Sequence, residues 1–140
     1  TACQLIATDK LRRNVDFAIT LYPWIDFKVW DVRQPAKPFK ADSVVAVEVV
    51  EHVDAPLELV LGNLMSATRR EVWISTPNGR GKPSPPENPE HVREYSPEEL
   101  IGVARSIRPE CGVQVLHWET FEMVPVESTD VSPLVYRIVL

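Results

Sequence analysis

The sequence predicts a single α/β domain built on a mostly parallel sheet, and three observations lead to this prediction. Short apolar runs alternate with helical patterns along the chain. The run Ser43–Val47 is rich in β-branched residues, and charged or polar residues directly follow several of the runs. Strands that alternate with helices form parallel sheets with crossover connections. We therefore expect the strand ends to meet at one sheet edge, where open α/β sheets place their ligands.

The first third of the chain predicts a strand, a helix and a second strand. Cys3–Thr8 is a short apolar run that ends at Asp9, as in a buried parallel strand. Ile25–Trp30 alternates as a second strand and ends at Asp31. Between the two strands, apolar residues recur at helical spacing until Pro23, and they are Leu11, Val15, Ala18, Ile19 and Tyr22.

The middle of the chain predicts a buried strand–helix–strand unit. Ser43–Val47 is a core strand that leads directly into Glu48, and Glu71–Ser75 is the next strand. A proline at position 56 is typical of a helix start. The apolar stripe of that helix consists of Leu57, Val60, Leu61, Leu64 and Met65.

The last part predicts a loop, a helix and two closing strands. Gly79–Glu90 contains four prolines and two glycines, which favours an irregular loop. Ser96-Pro97-Glu98-Glu99 is a capping box with proline at the first helical position. Val113–Val124 and Leu134–Leu140 are expected to pair antiparallel, because only a short loop separates them.

Composition indicates one ordinary soluble domain over residues 1–140. The hydrophobic fraction of 44% and the charged fraction of 25% are typical of globular proteins. A formal net charge of −5 argues against tight nonspecific binding to nucleic acid or to an anionic membrane. No apolar run approaches the ~18 residues of a membrane span. Cys3 and Cys111 are too few for a disulfide framework, so we expect reduced cysteines and a cytoplasmic protein.

Two carboxylates follow the first two predicted strands, one strand–helix unit apart. Asp9 could accept hydrogen bonds from the ribose hydroxyls of a nucleotide-like cofactor, and Asp31 with Val32 could contact an adenine ring. The alternative is that each aspartate is a helix cap or turn residue, which is the commoner role after a strand.

Four residues that can bind a metal follow the third and fourth predicted strands along the chain. The motif Glu48-Val-Val-Glu51-His52 follows Ser43–Val47, and His91 lies further along the chain. Two carboxylates and two imidazoles suit an octahedral divalent ion with open positions. The alternative is that Glu51 and His52 begin the next helix, while His91 is a structural or general-base residue.

These residues together resemble the class I S-adenosylmethionine-dependent methyltransferases, of the type 11 or ubiquinone-pathway kind with a Glu-x-x-Glu-His motif. The resemblance is carried by Asp9, Asp31, Ser43–Val53, Ser75-Thr-Pro-Asn78 and His91–Leu100. It implies a Rossmann-like three-layer sandwich with an antiparallel last strand. The cofactor implied is S-adenosylmethionine. Asp9 is then the ribose ligand, Asp31 and Val32 the adenine contacts, and Glu48 a wall of the methionine pocket.

The family's first strand and its glycine-rich loop have no counterpart in this sequence. All five glycines stand in other places, and the chain begins at Thr1 rather than at a methionine. The missing strand would lie in the middle of the sheet, where its absence leaves unpaired buried backbone groups. We therefore predict about 40–60 further residues upstream, the size of a strand–helix unit. The alternative is a remnant that packs on a partner.

The metal-competent residues resemble the site of the small-RNA 3′-terminal 2′-O-methyltransferases and that of the ubiquinone-pathway O-methyltransferases. This implies a manganese or magnesium ion held by Glu48, Glu51, His52 and His91, with Glu48, His52 and His91 acting in catalysis. We expect methyl transfer to an oxygen, in preference to a nitrogen, of a polar small molecule or nucleic-acid end, with no DNA or membrane partner. The alternative function is an inactive methyltransferase-like module with a structural or interaction role.

Overall fold

The computed structural model describes residues 3–35, 39–80, 86–127 and 133–140. Six strands and three α-helices follow one another within these residues. They are β1 (Ile6–Asp9), α1 (Arg12–Leu21), β2 (Asp26–Val29), β3 (Ala41–Val47), α2 (Leu57–Ser66), β4 (Thr68–Thr76), α3 (Pro97–Ile107), β5 (Gly112–His117) and β6 (Leu134–Val139). None of the helices in the described residues is long and apolar enough to cross a membrane.

The strands form two hydrogen-bonded groups. Four of them form a sheet in the order β3-β4-β6-β5, in which β3 and β4 are parallel while β6 runs antiparallel to both neighbours. β1 and β2 form a separate parallel pair. The predicted parallel α/β sheet with an antiparallel last strand is therefore confirmed.

A break separates β1 from β3. Within the described residues, β1 pairs with β2 and β3 pairs with β4, so each of β1 and β3 keeps one strand edge without a partner strand. These are the two strands that flank the position where the sequence analysis expects a further strand.

Helices α2 and α3 cover one face of the four-stranded sheet and form the core with it. Alternate residues of the strands point to this face, among them Val72 and Ile74 of β4 and Tyr136 of β6, all with no exposed surface. Leu61 of α2 and Leu100 of α3 are equally buried against them. The predicted apolar stripe of α2 is thus confirmed as its packing face.

The opposite face of this sheet is largely uncovered within the described residues. Val45 is 67% exposed and Val47 is 51% exposed, although both are apolar residues of β3. A shallow groove of about 320 Å³ runs over this face, lined by Ser43, Val45, Val47, Trp73, Ile74, Ser75, Trp118, Phe121 and Val135. Helix α1 packs mainly on its own strands, β1 and β2, so it does not supply a third layer over this sheet.

The capping box predicted for α3 is present. The Glu99 backbone N–H donates to Ser96 Oγ over 3.3 Å, and the Ser96 N–H donates to Glu99 Oε2 over 2.9 Å. This reciprocal pair satisfies donors that the first turn of a helix otherwise leaves without partners.

The predicted strand Val113–Val124 is wrong in its second half. β5 ends at His117, and the Phe121 N–H donates to the His117 carbonyl over 2.9 Å, which closes a turn. The chain then runs back along β5, with an antiparallel bridge between Leu116 and Met123. Phe121 has a left-handed backbone, with φ of 56°, without the glycine that usually marks such a turn in a sequence.

Gly79 lies where two segments cross closely. Its N–H donates to the Tyr95 carbonyl over 2.9 Å, and a Cβ added to it would lie 2.6 Å from the Glu94 carbonyl carbon. Real Cβ atoms do not approach backbone so closely, so only glycine fits without a backbone shift. The segment after β4 is therefore locked against the segment that follows His91.

Replacing Gly79 with alanine should lower the free energy of unfolding by about 1–3 kcal/mol, the usual cost of forcing extra volume into a packed site. Gly62→Ala is the matched control, because Gly62 lies in α2 with no atom within 4 Å of an added Cβ. The free energy of unfolding of Gly62→Ala should rise by about 0.5–1 kcal/mol, because alanine favours a helix more than glycine does. Denaturant unfolding of both variants measures the difference, and equal stabilities would contradict the close approach.

Candidate active site

Glu48 stands in a strained backbone conformation directly after β3. Its φ is 49°, in the left-handed region that residues other than glycine rarely adopt. The Glu48 N–H donates to the Ser75 carbonyl over 3.0 Å, and the Ser75 hydroxyl donates to Glu48 Oε1 over 2.8 Å. Strain of this kind costs about 1–3 kcal/mol and persists at functional sites when the surroundings hold it. Here the neighbouring strand holds it.

Glu51 is completely buried by the 3₁₀ turn Val50–His52 that follows. The Thr76 hydroxyl donates to its Oε2 over 3.1 Å, whereas its Oε1 has no hydrogen-bond partner in the described part of the chain. Burial raises the pKa of Glu51 above its ordinary value, and the nearby charge of Glu48 adds to the rise. A buried carboxyl with one unsatisfied oxygen is suited to bind a cation or to stay protonated.

Among the described residues, only one of the two ring nitrogens of His52 has a hydrogen-bond partner. Its Nδ1 lies 2.8 Å from the Glu90 carbonyl oxygen. Since a carbonyl oxygen only accepts hydrogen bonds, Nδ1 carries the proton in this contact and Nε2 keeps its lone pair. Metal-binding histidines show the same arrangement, with the second N–H held by a carbonyl or a carboxylate.

His91 packs edge-to-face against His52. The ring centroids lie 4.9 Å apart with 79° between the ring planes. His91 Nδ1 lies 2.8 Å from Glu94 Oε1, and its Nε2 lies 3.0 Å from Asn88 Nδ2. The side chains of His91 and Glu94 are only 11% and 8% exposed, so this pair is shielded from water.

The structure brings three of the four predicted metal ligands together. One candidate ligand atom from each of Glu51, His52 and His91 lies within 4.8 Å of the others. Glu48 is outside this group and points its carboxylate to Ser75 instead. Two imidazoles and a carboxylate fit manganese, iron or zinc by ligand type.

Asp9 lies at the carboxyl end of β1, where the sequence places it, and its carboxylate stabilises the start of α1. The Leu11 N–H donates to Oδ1 over 2.7 Å, and Asn14 Nδ2 donates to Oδ2 over 3.1 Å. This is the turn role that the sequence analysis gave as an alternative. A carboxylate offers about four acceptor sites, so these bonds leave room for two more.

Asp31 and Val32 lie just beyond β2, and both make contacts that hold this loop in place. Arg33 donates to Asp31 through its backbone and its guanidinium, with Nη2 2.6 Å from Oδ2. These hydrogen bonds lower the pKa of Asp31, which keeps it ionised. The Val32 carbonyl accepts a hydrogen bond from Asn63 Nδ2 over 2.7 Å, so the loop is tied to α2.

Two functional candidates were missed by the sequence reasoning. Thr76 belongs to the quoted motif Ser75-Thr-Pro-Asn78, but its contact with Glu51 depends on the pairing of β3 with β4. Glu94 stands three residues after His91, a spacing that does not by itself predict a contact outside a helix. Only the folded loop shows that it bonds the imidazole.

Comparison with known structures identifies the fold. A TehB-like S-adenosylmethionine-dependent methyltransferase from Corynebacterium glutamicum is 18% identical, with a TM-score of 0.63 over 95% of this chain and 66% of that one. A methyltransferase from Thermotoga maritima, named as a possible histamine N-methyltransferase, is 20% identical, with a TM-score of 0.64 over 96% and 72%. The [4+2]-cyclase SpnF is 19% identical, with a TM-score of 0.63 over 83% and 45%.

These likenesses show that the chain has the Rossmann-like fold of the S-adenosylmethionine-dependent methyltransferases. The chain spans slightly less than two thirds of the Corynebacterium protein. No model of a known protein family matches the sequence, and no curated protein matches it either. The cyclase shows that this fold also occurs in a protein named for a different reaction, so the reaction must be argued from the site.

Replacing Glu51 with glutamine should stabilise the metal-free protein at pH 7 by about 1–3 kcal/mol, the scale of a buried unsatisfied polar group. Because folding raises the pKa of Glu51, the wild type loses stability as pH rises above the ordinary value of 4.5. The stabilisation by Glu51→Gln should therefore become smaller as pH falls below 4.5. Denaturant unfolding at a series of pH values with chelator present measures it.

Glu119→Gln is the control for this measurement, because Glu119 is exposed. Its unfolding free energy should follow the wild-type profile at every pH. If the Glu51 and Glu119 variants showed the same pH profile, the burial of Glu51 would not be the cause of the effect.

Proposed function

We propose that this chain forms most of an S-adenosylmethionine-dependent methyltransferase, and the observation that carries the proposal is the break in the sheet. β1 and β3 belong to two separate sheets within the described residues, and a strand added between them would make the strand order reverse there, with Asp9 at the carboxyl end of one strand and Glu48 directly after the other. A reversal of this kind is the ligand crevice of open α/β sheets. The fold shared with known methyltransferases supports the same position for the cofactor.

In this proposal the carboxylates along the sheet edge hold the cofactor. Asp9 accepts hydrogen bonds from the ribose hydroxyls through the acceptor sites that the α1 contacts leave open. Asp31, kept ionised by Arg33, and the half-buried Val32 contact the adenine ring. Glu48 forms a wall of the methionine pocket, which gives its strained conformation a role.

The proposal includes an upstream segment that contributes one strand and a glycine-rich loop. Three findings support it: the free edges of β1 and β3, the exposed apolar groove over β3 and β4, and the 66–72% coverage of the two methyltransferases. A parallel strand would satisfy the backbone groups of both edges, and a helix after it would cover Val45 and Val47. The domain in this proposal therefore extends beyond residues 1–140.

The reaction that the cluster supports is transfer of a methyl group to an oxygen of a polar small molecule or a nucleic-acid end. The acceptor oxygen displaces the sulfonium sulfur in line, and its proton must pass to a base. When no metal is bound, His52 and His91 are the bases at hand, since each has its lone pair on Nε2. A nitrogen acceptor would use the same geometry. We place this reaction in the cytoplasm, which the two free cysteines, exposed Cys3 and buried Cys111, support.

A divalent metal is the second part of the proposal. Glu51, His52 and His91 would hold it, and a bound ion of this kind lowers the pKa of an acceptor hydroxyl and orients the oxygen. The unsatisfied Oε1 of Glu51 supports this assignment, because a cation supplies the partner that this buried oxygen lacks among the described residues. Glu48 lies outside the cluster and would join only by leaving Ser75.

A non-catalytic module is the second candidate, and the occupied carboxylates favour it. Asp9 and Asp31 already make turn and ion-pair contacts, as they would in a fold that no longer binds cofactor. The uncovered groove would then dock a partner protein. Cofactor binding by the full-length protein separates the two candidates.

The full-length protein should bind S-adenosylhomocysteine in a calorimetric titration, and Asp31→Ala should weaken this binding at least about tenfold, or 1.4 kcal/mol. Asp16→Ala is the control, because Asp16 makes a similar ion pair, with Arg12, on the exposed side of α1. Absence of heat in the wild type would contradict the enzyme proposal. Equal affinities of the two variants for S-adenosylhomocysteine would show that Asp31 does not contribute to cofactor binding.

His52→Ala should weaken Mn²⁺ binding by about tenfold or more and lower the manganese-dependent methylation rate, because one of three clustered ligands is lost. His117→Ala is the control, since His117 ends β5 and is not in the cluster. Manganese binding by calorimetry and methylation with and without chelator measure the effects. Activity indifferent to chelator, with unchanged binding in both variants, would exclude the metal and leave cofactor binding intact.

A further inference from the structure

Glu94 makes a shielded contact with one of the two histidines of the site. Its Oε1 lies 2.8 Å from His91 Nδ1, and both side chains are about nine-tenths buried. At this depth the contact is weakly screened by water, so a carboxylate here acts strongly on the ring. Glu94 is not among the site residues predicted from the sequence, and the proposed reaction does not use it.

The backbone around Glu94 is held from two sides. Gly79 approaches it so closely that a Cβ would lie 2.7 Å from the Glu94 carbonyl oxygen, and the Gly79 N–H bonds the next residue, Tyr95. On the other side, the N–H groups of Val92 and Arg93 donate to the Glu51 carbonyl over 2.7 and 3.3 Å. The carboxylate is therefore supported by a rigid backbone and not by a free loop.

The partners of the His91 ring define where its proton lies. A carboxylate only accepts hydrogen bonds, so Nδ1 carries the proton that points to Glu94. The Asn88 amide donates to Nε2 over 3.0 Å, which requires a lone pair on that nitrogen. Both contacts select the same neutral tautomer, with the proton on Nδ1.

We propose that Glu94 is a positioning residue, which holds His91 in this tautomer and orientation so that Nε2 is its basic nitrogen. This inference rests on the proposed function, since His91 needs the Nε2 lone pair only if it acts as a base or as a metal ligand. Asn88 covers the lone pair in the structure and has to leave before Nε2 can accept a proton or bind a cation.

Nitrogen NMR of the three histidines of this chain tests the inference, because the two tautomers of a neutral imidazole give different ¹⁵N shifts. The full-length protein is labelled with ¹⁵N-histidine and measured at about pH 8.5, where an ordinary histidine is neutral. Four proteins are compared: wild type, Glu94→Ala, Asn88→Ala and the double variant. Glu94→Gln is added as the conservative variant, since its amide oxygen can still accept the Nδ1 proton.

The wild type, Asn88→Ala and Glu94→Gln should all carry the His91 proton on Nδ1. Glu94→Ala should show a measurable population with the proton on Nε2, and the double variant should show it predominantly, because neither partner then selects Nδ1. If Glu94→Ala or the double variant kept the proton on Nδ1, the inference would be overturned. Thermal unfolding of each variant checks that it is folded, and Glu94→Leu, which fills similar space without an acceptor oxygen, takes the place of an alanine variant that does not fold.

Glu94→Ala and Glu94→Gln together test the role in catalysis and binding. Glu94→Ala should lower kcat at least about tenfold and weaken Mn²⁺ binding about 10–100-fold, with the KM for S-adenosylmethionine unchanged, because the proton is no longer held on Nδ1. Glu94→Gln should recover most of both, because its amide oxygen still accepts the Nδ1 proton. Glu110→Gln is the control, since Glu110 pairs with Arg108 on the surface. Unchanged kcat and metal affinity in Glu94→Ala, or equal losses in both Glu94 variants, would overturn the inference.

The inference and the proposed function fail in different measurements. A protein that binds neither S-adenosylhomocysteine nor manganese would refute the proposed function, while the tautomer shift in Glu94→Ala would still establish the positioning contact. A methyltransferase with an unchanged tautomer in all variants would keep the function and refute the role of Glu94.

Discussion

The parallel pairing of β3 with β4 is the interaction on which the rest of the candidate site depends. The register places Val47 opposite Ser75, so that the next residue, Glu48, meets the Ser75 backbone and hydroxyl as it leaves the strand. The Glu48 N–H donates to both the carbonyl and the hydroxyl oxygen of Ser75, and these hydrogen bonds hold Glu48 in a left-handed conformation. A slip of one residue would turn every side chain of β3 to the other face and separate these groups.

The 3₁₀ turn Val50–His52 follows Glu48 and places Glu51 in the protein interior. Glu51 enters the interior beside Thr76, and its backbone carbonyl accepts the N–H groups of Val92 and Arg93. One residue thus joins the ends of two strands to the loop that carries His91. Its carboxyl group is costly to bury, and burial raises its pKa above the ordinary value.

The break between β1 and β3 is the second feature that shapes the molecule. On one side of it, β1, α1 and β2 form a small unit attached through the loop at Asp31 and Val32, whose carbonyl bonds Asn63 of α2. On the other side, β3 exposes an apolar face with Val45 and Val47. Both sides of the break carry a carboxylate at a strand end, Asp9 in β1 and Glu48 directly after β3.

Much of the fold could be predicted from local pattern, because strands and helices differ in hydrophobic period. The β-branched run at Ser43–Val47 and the apolar stripe of α2 predicted their elements within a few residues. The turn after His117 could not be predicted, since Phe121 adopts a left-handed backbone without glycine or proline nearby to signal it. Contacts between loop side chains, such as the ion pair of Arg33 with Asp31, depend on the conformation of the loop. They leave no periodic pattern in the sequence.

By itself, the sequence determined the class of fold, the order of the elements and the position of carboxylates and imidazoles at strand ends, because these follow from residue type and spacing along the chain. Only the tertiary structure decided which of those groups meet. It joined Glu51, His52 and His91 and directed Glu48 to Ser75. It also added Glu94, since contacts between distant segments depend on strand register and on close approaches such as that at Gly79.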